Sequence, residues 1–165
     1  MREKPRILIS FSGGGWGFQT RKLIHDLKDR CEFLYAIPEN VVDPIKAGCP
    51  DGISYRIPKL RSFTRGVGWR TPGHLLTIFL RSRRFIAREK PDAVVVLGLT
   101  EGLVVLAAAK LCGCRTVYIE SITRVSTPSA TLRLCSRLRL ADTTLVQWPS
   151  LATKVPGASY GGTIL

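Results

Sequence analysis

The chain has 165 residues, the length of one domain, and 45% of them are hydrophobic while only 8% are aromatic. This composition argues against a disordered chain and favours a soluble α/β domain with its own core. The 25 Lys and Arg residues against 12 Asp and Glu give a formal net charge of +13. Such a charge attracts polyanions, whether nucleic acid, acidic lipid headgroups, diphosphates or nucleotide sugars.

Short apolar strands alternate with helices along the whole chain. Strands are predicted over residues 6–11, 32–38, 53–57, 93–97, 115–119 and 143–147. Helices are predicted over residues 18–28, 72–88, 102–111 and 130–140, with a basic loop over 58–73. Right-handed crossovers join such elements into a doubly wound, Rossmann-like parallel sheet. We expect this domain to span residues 1–154, with no further strand-helix unit after Pro149 and a separate tail over 155–165.

A glycine-rich loop follows the first strand, and it is the first candidate site. Ser12, Gly13, Gly14 and Gly15 stand where the strand passes into a helix, and bare backbone amides at a helix start suit a phosphate or diphosphate. The loop is not a Walker A motif, because no Gly-Lys-Ser/Thr follows. It also misses the dinucleotide fingerprint, whose third glycine would fall on Phe18. A tight turn without a ligand remains the alternative.

A second group of polar residues follows the strands of the last third of the chain. Glu120 ends a buried strand, and it could act as a base, accept a bond from a sugar hydroxyl or serve as the partner of a helix N-terminus. Ser121 lies beside it, and Arg124 suits either a diphosphate or a salt bridge to Glu120. Trp148 is expected to pack at a domain edge unless it is exposed. Polar residues past the carboxyl ends of parallel strands mark the ligand site of such sheets.

The chemistry of the remaining residues narrows the possible functions. Five cysteines without a CxxC pair, together with only His25 and His74, predict structural thiols in a reducing cytosol, with no metal and no cofactor. No apolar stretch reaches the roughly 18 residues of a membrane span. Arginines interleaved with apolar residues suit either an anionic membrane surface or solvated helix faces. We expect Arg81, Arg83 and Arg84 to form the membrane surface.

Five segments of the chain together resemble a known family. They read PDAVVVLGLTEG, AAAKLCGCRTVYIES, RVSTPS, ADTTLVQWP and PGASYGGTIL. In this order they are similar to the acceptor-side subunit of split GT-B glycosyltransferases. That family includes the eukaryotic membrane-recruiting subunit of the transferase that adds the second N-acetylglucosamine to dolichyl diphosphate, and the bacterial PssD-type exopolysaccharide subunit. The layout is more distantly similar to the N-terminal half of the murein N-acetylglucosaminyltransferase.

The resemblance implies a subunit that is inactive without its catalytic partner. It would be the Rossmann-like acceptor half of a GT-B fold, bind a polyprenyl-diphosphate saccharide, and pair with a separate chain that holds the UDP-sugar. The diphosphate-binding roles fall on Gly13, Gly14, Gly15, Thr100 and Glu120, with Ser12, Ser121 and Arg124 beside them. We expect a peripheral position on the cytoplasmic face of the membrane. No nucleic acid partner is expected, and a basic nucleotide- or nucleic-acid-binding module is an alternative that only the charge recommends.

Two departures from the family pattern bear on activity and attachment. Members usually carry a His directly after the glycines, where this chain has Gly15 or Trp16, and a non-catalytic scaffold is therefore an alternative. Members also commonly carry an N-terminal membrane helix, whereas here the first strand is predicted close to Met1. The tail should dock on the partner chain, because a GT-B enzyme crosses between its halves at this point. The expected interface residues are Trp148, Tyr160, Gly161, Ile164 and Leu165.

Overall fold

The computed structural model describes residues 4–60 and 71–164. The strands are β1 (Arg6–Ser10), β2 (Glu32–Pro38), β3 (Gly52–Ile57), β4 (Ala93–Leu97), β5 (Arg115–Ile119), β6 (Thr143–Val146) and β7 (Ala158–Tyr160). The helices are α1 (Gly14–Leu27), α2 (Thr71–Glu89), α3 (Thr100–Leu111), α4 (Ala130–Arg137) and α5 (Pro149–Ala152), and a 3-10 turn lies at Ile45–Ala47. Most of the basic loop predicted over 58–73 lies outside the described residues, as does Leu165.

The strands form one parallel sheet in the order β3-β2-β1-β4-β5-β6-β7. The chain first builds outward from β1 to β3, then returns to the other side of β1 and builds outward from β4 to β7. The direction therefore reverses between β1 and β4, and their carboxyl ends flank the crevice where open α/β sheets bind ligands. The predicted doubly wound, Rossmann-like fold is confirmed.

Both faces of the sheet are covered, which explains why its central strands are apolar throughout. Val94 and Val96 of β4 face a core that includes residues of α2, α3 and α4, whereas Val95 and Leu97 face a second core that includes Ile24 of α1. All four of these β4 side chains are buried. Alternate residues of one strand thus serve two cores. In the described residues, no helix is both long and apolar enough to cross a membrane.

The carboxyl-terminal part of the chain contains a helix and a strand that we did not predict. Pro149 opens the four-residue helix α5, which buries Leu151, and β7 then pairs parallel with β6 from Ala158 to Tyr160. The prediction that no strand-helix unit follows Pro149 is therefore wrong. The prediction failed because α5 and β7, with four and three residues, are too short to show a hydrophobic period.

Two loops at the strand-order reversal pack on each other through Trp16 and Gly98. Gly98 has a φ of 55°, in the left-handed region that favours glycine. A Cβ at this position would also lie 2.0 Å from ring atoms of Trp16. Any side chain at Gly98 would push the indole away, so this glycine fixes the distance between the loop after β4 and the start of α1.

Candidate functional site

The glycine loop borders a cavity of about 370 Å³ at the point where the strand order reverses. Its lining residues are Ser12, Gly13, Gly14, Pro38, Asn40, Val41, Lys59, Leu99 and Glu101. Helix α1 begins at Gly14, earlier than predicted, so the glycines form its first turn. Gly13 is the N-cap and supplies no capping side chain, and the first turn holds no acidic residue. The first amides of α1 are therefore free to meet an anion.

Two further features of this cavity suit a negatively charged ligand. The side-chain hydroxyl of Ser12 is buried, and the described residues offer it no hydrogen-bond partner. Lys59 is exposed and lines the same cavity. An unpartnered hydroxyl, an ammonium group and the positive end of a helix thus surround one space. The predicted phosphate-binding role of Ser12, Gly13 and Gly14 rests on this geometry and stays a prediction.

The cavity also contains a carboxylate that sequence reasoning missed. Glu101 lies in the first turn of α3, is 7% exposed, and accepts a hydrogen bond of 2.9 Å from the backbone N–H of Leu60. An acidic residue in the first turn of a helix is common, because its negative charge interacts favourably with the positive end of the helix dipole. Only the fold shows that this one faces the glycine loop. The predicted site residue Thr100 precedes it but is not among the lining residues.

A second cavity, of about 480 Å³, lies on the other side of α1. Its lining residues are Gly15, Trp16, Phe18, Gln19, Ser121, Ile122, Thr123 and Ile164. The structure therefore divides the predicted site, because Gly15 and Ser121 border this space whereas Ser12, Gly13 and Gly14 border the first. Phe18 is 54% exposed here. The mixture of apolar and hydroxyl groups is less suited to a phosphate than the glycine-loop cavity is.

Glu120 is fully buried at the end of β5, and both of its carboxylate oxygens are engaged. Oε1 accepts from the N–H of Ser121 at 2.8 Å. Oε2 accepts from the N–H of Ser129 at 3.1 Å and from its hydroxyl at 2.6 Å. Ser129 is the N-cap of α4. Of the three roles considered for Glu120, this geometry supports that of partner to a helix N-terminus.

The alternative salt bridge between Arg124 and Glu120 does not occur among the described contacts. Arg124 is exposed, and its backbone N–H donates to the carbonyl of Ser121. Its guanidinium therefore faces solvent at the same edge of the sheet. Burial raises the pKa of the neighbouring Tyr118 phenol, and the charge of Glu120 adds to this effect. The Tyr118 phenol is therefore protonated at neutral pH.

Two glutamines that sequence reasoning did not assign form a buried network at the carboxyl edge. Nε2 of Gln147 donates to Oε1 of Gln19 at 2.8 Å and to the carbonyl of Glu120 at 2.9 Å. Oε1 of Gln19 also accepts from the N–H of Ile122 at 3.1 Å. Oε1 of Gln147 accepts from the N–H of Ile164 at 2.7 Å. A glutamine on the apolar face of α1 was the available sequence signal.

The residues predicted for the partner interface lie at the outer edge of the sheet. Trp148 is half-buried against the core, and its indole N–H donates to the carbonyl of Ile122 at 2.6 Å, so it is the packed aromatic that we expected. Tyr160 is 50% exposed on β7. The N–H of Gly161 donates to Val146, and Ile164 packs against the second core. The tail is therefore folded against the domain.

The arginines of α2 do not all face the same way. Arg81 and Arg84 line a groove with Arg88, beside Tyr55, Arg56 and Phe85. Arg83 lines a different cavity, of about 680 Å³. Arg115, at the amino-terminal end of β5, lines the same cavity. Two exposed leucines, Leu76 and Leu80, precede the arginines at four-residue spacing. The predicted membrane surface is therefore split.

Four of the five thiols are held in their protonated form by burial. All five cysteines are free. Burial raises the pKa of Cys31, Cys49 and Cys114, and it raises that of Cys135 to about 11. These thiols are protonated at neutral pH, which suits a packing role. Among the described residues, no group of three or more His, Cys, Asp and Glu side chains is placed to hold a metal.

The positioning role of Glu120 leads to a testable prediction. Glu120→Gln replaces one oxygen with an amide group that faces an N–H donor, and we expect the free energy of unfolding to fall by about 3 kcal/mol. Urea denaturation followed by circular dichroism measures this change. Glu39→Gln removes an exposed carboxylate at the same sheet edge and should shift stability by under about 0.5 kcal/mol. Equal stability of the two variants would contradict the positioning role.

The amino-acid sequence matches a known protein family. Residues 50–164, more than half of the chain, match the family described as "Oligosaccharide biosynthesis protein Alg14 like". A relative from Yarrowia lipolytica (strain CLIB 122 / E 150), the UDP-N-acetylglucosamine transferase subunit ALG14, is 25% identical over 182 residues, which cover 98% of this chain and 82% of the relative.

Solved structures share the fold. The MurG structure from Acinetobacter baumannii superposes with a TM-score of 0.70 at 19% identity, covering 89% of this chain and 42% of that one. The UDP-GlcNAc 2-epimerase from Neisseria meningitidis, bound to UDP-GlcNAc, gives a TM-score of 0.68 at 16% identity, covering 96% and 46%. The chain thus spans less than half the length of either structure, with the architecture of one Rossmann-like half. By its sequence match and its fold, the chain belongs to the Alg14-like family of oligosaccharide biosynthesis proteins.

Proposed function

We propose that the chain is the acceptor-binding and membrane-recruiting subunit of a two-component glycosyltransferase. The enzyme would transfer a sugar from a UDP-sugar to a saccharide carried on a polyprenyl diphosphate. One observation carries the proposal: the Yarrowia relative, a subunit of a UDP-N-acetylglucosamine transferase, aligns with 98% of this chain. A transferase subunit acts together with at least one other chain, and here that chain would hold the UDP-sugar.

The acceptor's diphosphate fits the glycine-loop cavity best. Ser12, the N-cap Gly13, the first helical residue Gly14 and the exposed Lys59 all border this space. Its volume of about 370 Å³ lies near the lower end of the range for small-molecule sites, about 300–1,000 Å³. The polyprenyl chain would leave this cavity toward the membrane, and the saccharide would face the partner.

The partner chain would dock on the outer edge of the sheet, near Tyr160 and Trp148. Tyr160 is exposed on the edge strand β7, where unpaired backbone groups and an aromatic ring are available to another chain. The second cavity is bordered by the exposed Phe18 and by Ile164, which follows Tyr160 by four residues. Exposed aromatic side chains are enriched at interfaces between proteins.

Attachment to an anionic membrane would use one face of α2. Leu76 and Leu80 supply exposed apolar groups, and Arg84 continues the same row of the helix at four-residue spacing. Arg81 and Arg88 flank it. Apolar side chains followed by arginines are typical of helices that lie on a membrane surface at its cytoplasmic face.

Reconstitution tests the proposed function directly. The purified chain should be captured by a chain that matches the UDP-sugar-binding half of GT-B enzymes. The pair should transfer N-acetylglucosamine from UDP-N-acetylglucosamine to a short-chain polyprenyl-diphosphate acceptor. Each chain alone should show no transfer, because donor and acceptor sites lie on different chains. Capture without transfer would instead support the non-catalytic scaffold.

Gly13→Asp tests the role of the glycine loop. Gly14 has a φ of 63° and any replacement there is strained, whereas Gly13 has an extended backbone with a φ of -98°, and a Cβ added there would lie 3.7 Å from Val41, an ordinary contact. Asp is a favoured N-cap residue, but its carboxylate in the glycine-loop cavity repels a phosphate. We expect the KM for the acceptor to rise at least about tenfold, equivalent to about 1.4 kcal/mol, with an unchanged fold. Gly13→Asn, which caps the helix without the charge, is the control and should keep the wild-type KM.

Tyr160→Ala tests the proposed partner interface. Deleting Tyr160 to Leu165 would also remove the bond from Ile164 to Gln147, so a single substitution is the cleaner change. Truncation of an aromatic anchor costs about 2 kcal/mol, and we expect the affinity for the partner to fall about 30-fold in a titration. Ile53→Ala, on the opposite edge strand β3, is the control and should bind normally. Unchanged affinity of Tyr160→Ala would move the interface elsewhere.

Charge reversal tests the membrane surface. Each arginine near an anionic bilayer contributes about 1 kcal/mol, so Glu at positions 81, 84 and 88 should weaken binding to vesicles containing phosphatidylserine about 100-fold or more. Added salt should release the wild-type chain. The matched control reverses Arg115, Arg133 and Arg137, which lie outside the α2 groove. Equal losses in both triple variants would indicate attraction by net charge alone.

A further inference from the structure

The glycine-loop cavity contains one carboxylate that diphosphate binding does not explain. Glu101 lines this space together with Ser12, Gly13 and Gly14. A carboxylate repels a phosphate, and the chain otherwise carries a formal net charge of +13. The charge of Glu101 therefore works against the binding of an anion in the same cavity. A second chemical task, directed at another part of the ligand, would account for its presence.

In the part of the chain that the structure describes, one backbone hydrogen bond orients the carboxylate of Glu101 and involves only one of its two oxygens. Oε1 accepts from the N–H of Leu60 at 2.9 Å, and this bond sets the orientation of the group. Within residues 4–60 and 71–164, Oε2 has no hydrogen-bond partner. Glu101 is buried, and it is one of the residues that line the cavity. Lys59 is the other charged side chain of the lining.

We propose that Glu101 is the general base that deprotonates the acceptor hydroxyl, an inference that rests on the proposed function. Transfer to a sugar hydroxyl needs a group that accepts its proton, and a positioned carboxylate is suited to this task. Glu120 is fully buried, and its oxygens already accept three hydrogen bonds. Glu101 is thus the carboxylate that the glycine-loop cavity makes available.

The step balances with the nucleoside-diphosphate sugar as co-reactant. The acceptor hydroxyl gives its proton to Oε2 of Glu101, and its oxygen forms a bond to the anomeric carbon of the donor sugar. The bond between that carbon and the diphosphate oxygen breaks, and its electron pair leaves with the nucleoside diphosphate. The first amides of α1 and Lys59 hold the acceptor's own diphosphate in the same cavity. The cavity would thereby bind the diphosphate of the acceptor and remove the proton from its hydroxyl.

Glu101→Gln in the reconstituted pair tests this proposal. The amide oxygen still accepts from Leu60, so the fold is expected to persist by circular dichroism, but the side chain no longer accepts a proton. We expect kcat to fall about 100-fold or more while the KM for the acceptor changes less than about threefold. Glu39→Gln, an exposed carboxylate at the same sheet edge, should keep the wild-type kcat. Sodium formate should restore part of the activity of Glu101→Ala.

The outcomes separate this inference from the proposed function. A wild-type pair that transfers no sugar overturns the proposed function, and the role of Glu101 falls with it. A wild-type pair that transfers sugar, beside Glu101→Gln at the wild-type kcat, overturns the inference alone. If the Gln and Ala variants fail to fold, Glu101→Asp decides. It keeps the charge but withdraws it by one methylene, so a kcat at least about tenfold lower supports the base, and a wild-type kcat overturns it.

Discussion

Two buried glutamine side chains hold the carboxyl edge of this sheet together. The amide of Gln147 donates to Gln19 of α1 and to the carbonyl of Glu120, and it accepts from the backbone of Ile164. Both side chains are almost wholly buried, so a lost partner would leave a polar group unsatisfied at a cost of about 1–3 kcal/mol. Three segments distant in sequence, namely α1, the loop after β5 and the tail, are therefore fixed relative to one another.

This network determines which surfaces are neighbours. Gln19 lies one turn beyond the glycine loop, whose amides begin α1, and Ile164 follows the exposed Tyr160 by four residues. The proposed acceptor cavity and the proposed partner interface are thus joined through two hydrogen-bonded side chains. Glu120 completes the arrangement, because it ties the loop after β5 to the start of α4 through Ser129. The edge is built as one rigid unit, as a site shared between two chains would need.

The sequence predicted the elements whose hydrophobic pattern is long enough to read. The apolar run of β4 and the glycines at the start of α1 indicate the fold and the place of the ligand crevice. The strand β7 was missed because three residues carry no period. Glu101 and Gln19 were missed because an acidic first-turn residue and a glutamine in a helix are ordinary locally, and only tertiary contacts give them a role. The division between Arg83 and Arg84 likewise depends on the rotation of α2.

The distribution of acidic residues at the carboxyl edge gives Glu101 its significance. Glu39 lies 3.7 Å from Arg81, Asp43 lies 3.7 Å from Arg56, and Glu120 is surrounded by N–H and O–H donors. These charges are offset by groups outside the glycine-loop cavity. Glu101 has a single backbone donor among the described residues and lines a space whose other charged groups are positive. A ligand that carries both a diphosphate and a hydroxyl matches the two kinds of group, whereas an inorganic phosphate would match only one.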